Sequence, residues 1–168
     1  AIMLSGESAM GKYPVQCVET MTRIATAVEA SINYGRRFKR REYDLETKNY
    51  EFYLAHSICS TALQMNAKAI FAYTECGDTP KLLSSFLPCC PIYAVTSKEK
   101  TYKQLALAWD VTPILVKEDV PAKELIAKGI EVAKQAGYVA SGDIVAIAGG
   151  ESILPGNKDC LLYTSPSP

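Results

Sequence analysis

The sequence has very little histidine and tryptophan, with one of each among 168 residues. With His56 as its only histidine, it offers no Ser-His-Asp or Cys-His arrangement for nucleophilic catalysis. It also lacks any apolar run of the roughly 18 to 20 residues that a membrane-spanning helix needs. Net charge is absent as well, because 18 basic side chains balance 18 acidic ones. We therefore expect no partner among nucleic acids or membranes.

Cysteine is present, but not in a pattern typical of a disulfide framework or a zinc site. No two of the six cysteines have CxxC spacing: Cys17, Cys59, Cys76, Cys89, Cys90 and Cys160. Unpaired cysteines in a chain with no metal-ligand spacing are typical of the reducing cytosol. The sequence thus predicts reduced thiols, no metal site and a cytoplasmic location.

From residue 50 onward, helical and strand-like patterns alternate. The predicted helices cover residues 50–65, 80–86, 98–108 and 121–136. The predicted strands cover residues 69–73, 91–96, 113–116 and 143–148. Short, continuously apolar strands separated by helices are typical of a parallel sheet covered on both faces. The sequence therefore predicts an α/β fold, a three-layer α/β/α sandwich with a mostly parallel sheet.

The first part of the chain has a different pattern. Residues 1–5 have the pattern of a buried strand, with four apolar residues before Ser5. Pro14 opens a long predicted helix with apolar residues every three to four positions as far as residue 32. Residues 36–49 are polar and without periodicity, which predicts a linker. The linker begins with five basic residues, Arg36, Arg37, Lys39, Arg40 and Arg41. They are interpreted either as a solvated segment or as a contact for phosphate or another polyanion.

Both ends of the sequence look unusual. A domain rarely begins inside a core strand, so we expect an N-terminal part to be missing here. At the other end, residues 160–168 depart from the preceding pattern and resemble a translated sequencing-adapter tail. We therefore expect a non-native tail in place of the next strand.

Two stretches resemble one known family. Ile2-Met-Leu-Ser-Gly-Glu-Ser-Ala9 followed by Gly11-Lys-Tyr-Pro14 is similar to the segment that closes the catalytic barrel of pyruvate kinases. Further landmarks of that family's C-terminal domain follow in the same order: Asn66-Ala-Lys-Ala-Ile70, Thr74-x-x-Gly77-x-Thr79, Pro91-Ile92, Val95-Thr96, Trp109-x-Val-x-Pro113 and Gly142-Asp143. The resemblance covers residues 1–157.

The resemblance implies a domain plan and an activity. Residues 1–35 would be the last strand-helix unit of a TIM barrel, 36–49 a linker, and 50–159 the C-terminal α/β domain, before the tail at 160–168. The longer protein would transfer a phosphoryl group from phosphoenolpyruvate to ADP, using Mg²⁺ and K⁺ whose ligands are not in this chain. The resemblance also implies a homotetramer and a sugar-phosphate or nucleotide effector.

The resemblance places candidate catalytic residues at the end of the first predicted strand, where TIM-barrel chemistry occurs. Ser5 would lie near the proton path, and Glu7 would order the loop or accept backbone N–H bonds. The alternative is that this segment only caps the strand and shapes the turn into the helix.

Candidate effector-binding residues lie in two loops. In the family, the loop Thr74, Cys76, Gly77, Asp78 and Thr79 would hold an effector phosphate at a helix N-terminus. Here Cys76 replaces the usual serine, and the acidic Glu75 and Asp78 oppose an anion. The alternative is a helix N-cap. In the second loop, near the C-terminus, only Gly156 and Asn157 match the residue types that the family has there.

Two functions remain open on these grounds. In the first, the chain is the allosteric and oligomerisation domain of a longer pyruvate kinase and is inactive by itself. The alternative is a stand-alone module that binds a phosphorylated ligand or supports assembly. The opening segment favours the first, because a free module has no use for a barrel-closing strand.

Overall fold

The structure is a computed structural model that describes residues 2–41, 50–116, 122–150 and 159–164. The chain divides into two compact units, Ala1–Asn33 and Tyr34–Pro168. No helix in the described ranges is long and apolar enough to cross a membrane.

The first unit contains two helices, α1 (Gly6–Ala9) and α2 (Pro14–Ala30), neither of which has a buried residue. Pro14 is the first residue of α2, as predicted, where its missing N–H costs no helical hydrogen bond. The strand predicted for residues 1–5 is wrong for the described residues 2–5, which lie outside any strand. A strand needs a hydrogen-bonded neighbour, and Met3 instead stands exposed to solvent.

The second unit contains five strands and five helices among its described residues. In chain order they are α3 (Tyr34–Arg41), α4 (Tyr50–Gln64), β1 (Ala69–Tyr73), α5 (Asp78–Ser85), β2 (Ile92–Thr96), α6 (Glu99–Leu105), β3 (Val111–Leu115), α7 (Ala122–Gln135), β4 (Val145–Gly150) and β5 (Asp159–Thr164). The strands form one sheet in the order β3-β2-β1-β4-β5. The first four strands are parallel, with Ile70 opposite Ile92 and Ala146. The predicted mostly parallel α/β sheet is therefore confirmed.

The strand β5 corrects one expectation. We expected the strand after β4 to be missing, but Asp159–Thr164 pairs with β4 in antiparallel register. The segment contains Leu-Leu-Tyr-Thr, which are residues that suit a strand, and the edge of β4 offers it free backbone partners. The non-native origin of residues 160–168 stays a prediction, and residues 165–168 lie outside the described ranges.

The core is split between the two faces of the sheet, because successive strand side chains point to opposite sides. On one face, Ile70 and Ile92 pack with residues of α4, α5 and α6, including the fully buried Leu83. On the other face, Phe71 and Val95 pack with residues of α7. This arrangement gives the three predicted layers of helix, sheet and helix.

The helix α3 corrects the linker prediction for residues 36–41. Phe38 on this helix is buried in the core. Its ring stacks on His56 at a centroid distance of 4.7 Å and meets Phe86 at 6.3 Å. The sequence shows a charged segment without periodicity, whereas the structure packs one of its aromatic residues into the core of the domain. The rest of the predicted linker, residues 42–49, lies outside the described ranges.

Candidate phosphate-binding loop

The loop predicted to bind an effector follows β1 at the carboxyl end of the sheet. The chain runs from β1 outward to β2 and β3, and then returns to place β4 on the other side of β1. Such a reversal of strand order opens a crevice at the carboxyl ends of the two central strands, and ligands of open α/β sheets bind there. The segment Thr74 to Thr79 thus lies at the edge of the sheet where ligands of open α/β sheets usually bind.

Hydrogen bonds of three side chains fix the conformation of the loop. The sequence predicted a role in the loop for only one of these residues. The buried Thr74 hydroxyl accepts a hydrogen bond of 2.8 Å from the Gly77 N–H, which closes a tight turn. From α6, the Thr101 hydroxyl donates to the Glu75 carbonyl. Tyr73 donates from its hydroxyl to Glu75 Oε1 at 3.3 Å. Nothing in the local sequence around Thr101 signals this contact, because the two residues are 26 positions apart.

Glycine is required at position 77 for two reasons. Its φ of +95° lies in the left-handed region that residues with a side chain rarely adopt. A Cβ added there would also lie 3.3 Å from Leu105 Cδ2. Gly77 thus lets the loop turn tightly against α6 and start α5 at Asp78.

The electrostatics of the loop disfavour an anion. The first turn of a helix offers unpaired N–H groups and a positive dipole end. In α5 this end already carries the exposed carboxylate of Asp78, and Pro80 at the third position contributes no N–H. Cys76 Sγ donates to Asp78 Oδ2 at 3.1 Å. The thiol that replaces the expected serine is therefore engaged by the carboxylate rather than held ready for a ligand.

The negative charge of the loop also affects the ionisation of Tyr73. Its hydroxyl pKa is raised above the ordinary value, first by partial burial and then by the neighbouring Glu75 carboxylate. Tyr73 is thus kept in its neutral, hydrogen-bond-donating form. The two members of the second predicted loop, Gly156 and Asn157, lie outside the described residues.

The candidate catalytic residues form a separate local arrangement in the first unit. The Ser5 N–H donates to Glu7 Oε2 at 2.9 Å. A hydrogen bond from the Glu7 backbone, and then this bond from Ser5, lower the pKa of the exposed Glu7 carboxyl. The Ser5 carbonyl accepts the Ala9 N–H at 3.1 Å as α1 begins. The Glu7 carboxylate thus accepts a backbone hydrogen bond just before α1, whereas the Ser5 hydroxyl makes no capping hydrogen bond.

No group of three or more His, Cys, Asp or Glu side chains that could hold a metal ion occurs within the described ranges.

Comparison with known proteins assigns the family. The sequence model of "Pyruvate kinase, alpha/beta domain" matches residues 53–162. The chain belongs to the pyruvate kinase family. The predicted resemblance to the C-terminal part of these phosphotransferases is thereby confirmed. The matched range includes most of β5 and ends within the predicted tail.

Individual relatives agree with this assignment. The chain is 40% identical over 150 residues to a pyruvate kinase of Clostridium acetobutylicum, with 89% of this chain and 32% of that protein covered. For a pyruvate kinase of Sporosarcina psychrophila the identity is 39% over 150 residues, with 89% of this chain and 25% of that protein covered. This chain thus spans a third or less of the length of these relatives.

A solved structure agrees as well. The structure of Cryptosporidium parvum pyruvate kinase in complex with ADP superposes with a TM-score of 0.84 at 26% identity. The superposition covers 98% of this chain and 33% of that chain.

Proposed function

We propose that this chain is the regulatory and subunit-contact part of a cytoplasmic pyruvate kinase. The longer enzyme would transfer a phosphoryl group from phosphoenolpyruvate to ADP, giving pyruvate and ATP in glycolysis. The observation that carries the proposal is the similarity to the Clostridium enzyme over 150 residues, which spans both units of the chain. The Cryptosporidium enzyme was solved in complex with ADP, which supports ADP as the phosphoryl acceptor.

The first unit would contribute the end of the catalytic barrel. Its helix α2 exposes Val15, Val18, Ile24 and Val28, apolar side chains that a stable soluble helix normally buries. The remainder of a (β/α)8 barrel is the surface that would cover them in the longer protein.

The isolated chain is expected to be inactive. Phosphoryl transfer depends on metal ions and cationic groups that position and neutralise the phosphates. We place the Mg²⁺ and K⁺ ligands in the part of the barrel outside this chain.

A lactate-dehydrogenase-coupled assay tests this proposal. The purified chain should give no Mg²⁺-dependent pyruvate above the blank, with the full-length Clostridium acetobutylicum enzyme as the positive control. Pyruvate formation by the chain that requires both Mg²⁺ and ADP would overturn the proposed inactivity. The proposal that a longer enzyme exists is tested by reading the complete coding sequence. It should encode a barrel with a lysine and metal-binding carboxylates.

Within the longer enzyme, we propose that Ser5 relays a proton and that Glu7 positions it. The support is the Ser5 N–H bond to Glu7 Oε2, which fixes the backbone beside the hydroxyl. In the longer enzyme, Ser5→Ala should lower kcat with little change in KM. Ser8→Ala, three residues further along the same segment, is the matched control. Equal kcat values for the two variants would assign Ser5 a purely structural role.

The loop Thr74 to Thr79 is proposed as the former effector site, with weak or no affinity for a sugar bisphosphate or a nucleotide. The support is the Asp78 carboxylate at the start of α5 and the Cys76 thiol that is hydrogen-bonded to it. Calorimetry with fructose 1,6-bisphosphate should detect no micromolar binding. Asp78→Ser should strengthen binding, because it removes a negative charge and adds a hydroxyl donor. Asp143→Ser, at a distant turn before β4, is the control.

Micromolar affinity of the unmodified chain would contradict the proposed weak site. Equal affinity of the Asp78→Ser and Asp143→Ser variants would contradict the role of the Asp78 charge.

A homotetramer is proposed for the longer enzyme on the strength of the family. Sedimentation of the complete protein should give four subunits, and a monomer would refute the assembly.

The alternative of a stand-alone binding module is supported by one observation, namely that the second unit contains a core on both faces of its own sheet. A coding sequence with no barrel upstream would favour that alternative.

A further inference from the structure

The strand β3 forms one edge of the sheet. Within the described residues the strand order ends at β3, which pairs with β2 on one side and with no strand on the other. An edge strand presents a row of N–H and C=O groups with which a strand of another chain can pair. The core holds β3 in place, because Val111 is buried on one face of the sheet and Ile114 on the other. The edge is therefore a fixed part of this unit.

Two hydrogen bonds define the direction of the backbone groups along β3. At one end, Ile92 of β2 donates from its N–H to the Asp110 carbonyl at 2.9 Å. At the other end, the Val116 N–H donates to the Thr96 carbonyl at 3.0 Å. The bonds of a parallel pair are evenly spaced, and successive residues of a strand direct their N–H groups to opposite sides. The N–H groups of residues 112, 114 and 116 therefore face β2, and those of residues 111, 113 and 115 face outward.

Two of the three outward positions have no N–H group to offer to another strand. The Val111 N–H already donates to the Ala108 carbonyl at 3.4 Å. Residue 113 is a proline, which has no N–H, and its ring occupies that side of the backbone. Proline within a sheet is tolerated in this place, on an edge strand with its nitrogen directed away from the neighbour. Within the described ranges, the Leu115 N–H is the one outward donor left for an incoming strand.

We infer that Pro113 keeps the β3 edge closed to a second copy of this chain. Two copies related by a twofold axis would pair their β3 edges in antiparallel register, centred on residue 113. A residue with an N–H at this position would exchange two hydrogen bonds with its counterpart in the other copy. With proline in both copies, those two bonds cannot form, and the two rings face each other instead. The β3 edge is thus excluded as an assembly surface, whatever the subunit number of the longer protein.

Sedimentation velocity of the whole chain, with and without Pro113→Thr, tests this inference. Threonine suits a strand and restores the outward N–H at this position. The two added hydrogen bonds should strengthen self-association at least about tenfold, measured as a lower dissociation constant. An unchanged dissociation constant would overturn the inference.

The same substitution at another proline is the matched control. Pro91 precedes the central strand β2, and its carbonyl accepts the Ile70 N–H of β1 at 2.9 Å. Pro91→Thr therefore adds an N–H in the interior of the sheet and not at its outer edge. This variant should associate no more strongly than the unsubstituted chain. Equal strengthening by Pro91→Thr and Pro113→Thr would overturn the assignment to the β3 edge.

Hydrogen exchange locates the contact and does not depend on a variant that folds. In the unsubstituted monomer, the amides of Thr112 and Ile114 should exchange slowly, because they are bonded to β2, whereas the Leu115 amide should exchange rapidly. A slowly exchanging Leu115 amide would show that the edge is already covered and would overturn the inference. In Pro113→Thr, the amides at positions 113 and 115 should become protected as the protein concentration rises. Protection confined to other segments would likewise overturn it.

Discussion

Two regions of this molecule contain similar apolar residues and use them in opposite ways. In the second unit, Ile92 and Val95 on β2 are completely buried. In the first unit, Ile24 and Val28 on α2 leave more than half of their side chains exposed, at 61% and 56%. The difference shows that apolar periodicity predicts the type of element, whereas burial depends on a second surface that faces it. The α/β unit supplies that surface itself, and the described residues of the first unit do not.

The largest expected effect comes from removing the same side chain in each region. Ile92→Ala should lower the free energy of unfolding by about 2–5 kcal/mol, because it deletes buried methyl groups and leaves a cavity in the sheet. The matched Ile24→Ala variant should change it by no more than about 0.5 kcal/mol, as exposed substitutions do. Urea unfolding followed by circular dichroism measures both. Equal losses would mean that α2 is buried in solution.

A smaller difference is expected from adding one methyl group. A Cβ on Gly129 of α7 would lie 2.4 Å from Val95 Cγ2, and Val95 is a stiff, fully buried side chain. Overpacking costs about 1–3 kcal/mol, offset by up to about 1 kcal/mol from the better helix propensity of alanine. Gly129→Ala should therefore be less stable by up to about 3 kcal/mol.

Gly6→Ala is the control in the other region, since a Cβ there meets nothing within 4 Å. It should leave the urea midpoint unchanged or slightly raised. A Gly129→Ala protein as stable as the unsubstituted chain would show that α7 does not pack closely on β2.

A hydroxyl group provides the third comparison. Thr74→Val removes the acceptor of the Gly77 N–H and leaves that buried donor unpaired, at a cost of about 1–3 kcal/mol. In the first unit, Thr22→Val removes only a bond of 2.9 Å from an exposed hydroxyl to the Val18 carbonyl. Thermal unfolding should separate the two variants by several degrees. Faster hydrogen exchange at the Gly77 amide in the Thr74→Val protein would confirm the cause.

The smallest effect concerns the Glu7 carboxyl. Hydrogen bonds from backbone N–H groups lower its pKa, so the charged form favours the folded state. This contribution is present above the unfolded pKa and is lost as the pH falls through the folded pKa. Because Glu7 is fully exposed, a carbon-13 NMR titration is the suitable measurement. Its midpoint should lie below that of a glutamate in a model peptide, and a midpoint at or above the peptide value would contradict the hydrogen bond.

Much of the second unit was predictable, because its elements depend on local patterns. The predicted strand at residues 69–73 coincides with β1, and the predicted helix at 121–136 with α7 to within one residue at each end. The position of the loop Thr74 to Thr79 was also predictable, since Thr74-x-x-Gly77-x-Thr79 is a local motif between a strand and a helix. Its hydrogen bonds were not, because Thr101 reaches Glu75 from a different helix.

The sequence by itself determined the family, the alternation of helix and strand, and the acidic character of the loop after β1. Those properties reside in residue types and short spacings. Only the tertiary structure decided that Phe38 of a charged helix packs into the core, that Asp159–Thr164 joins the sheet in antiparallel register, and that Cys90 is buried whereas Cys89 is only half-buried. Each of these depends on which surface the segment packs against, and residue type alone does not specify which surface that will be.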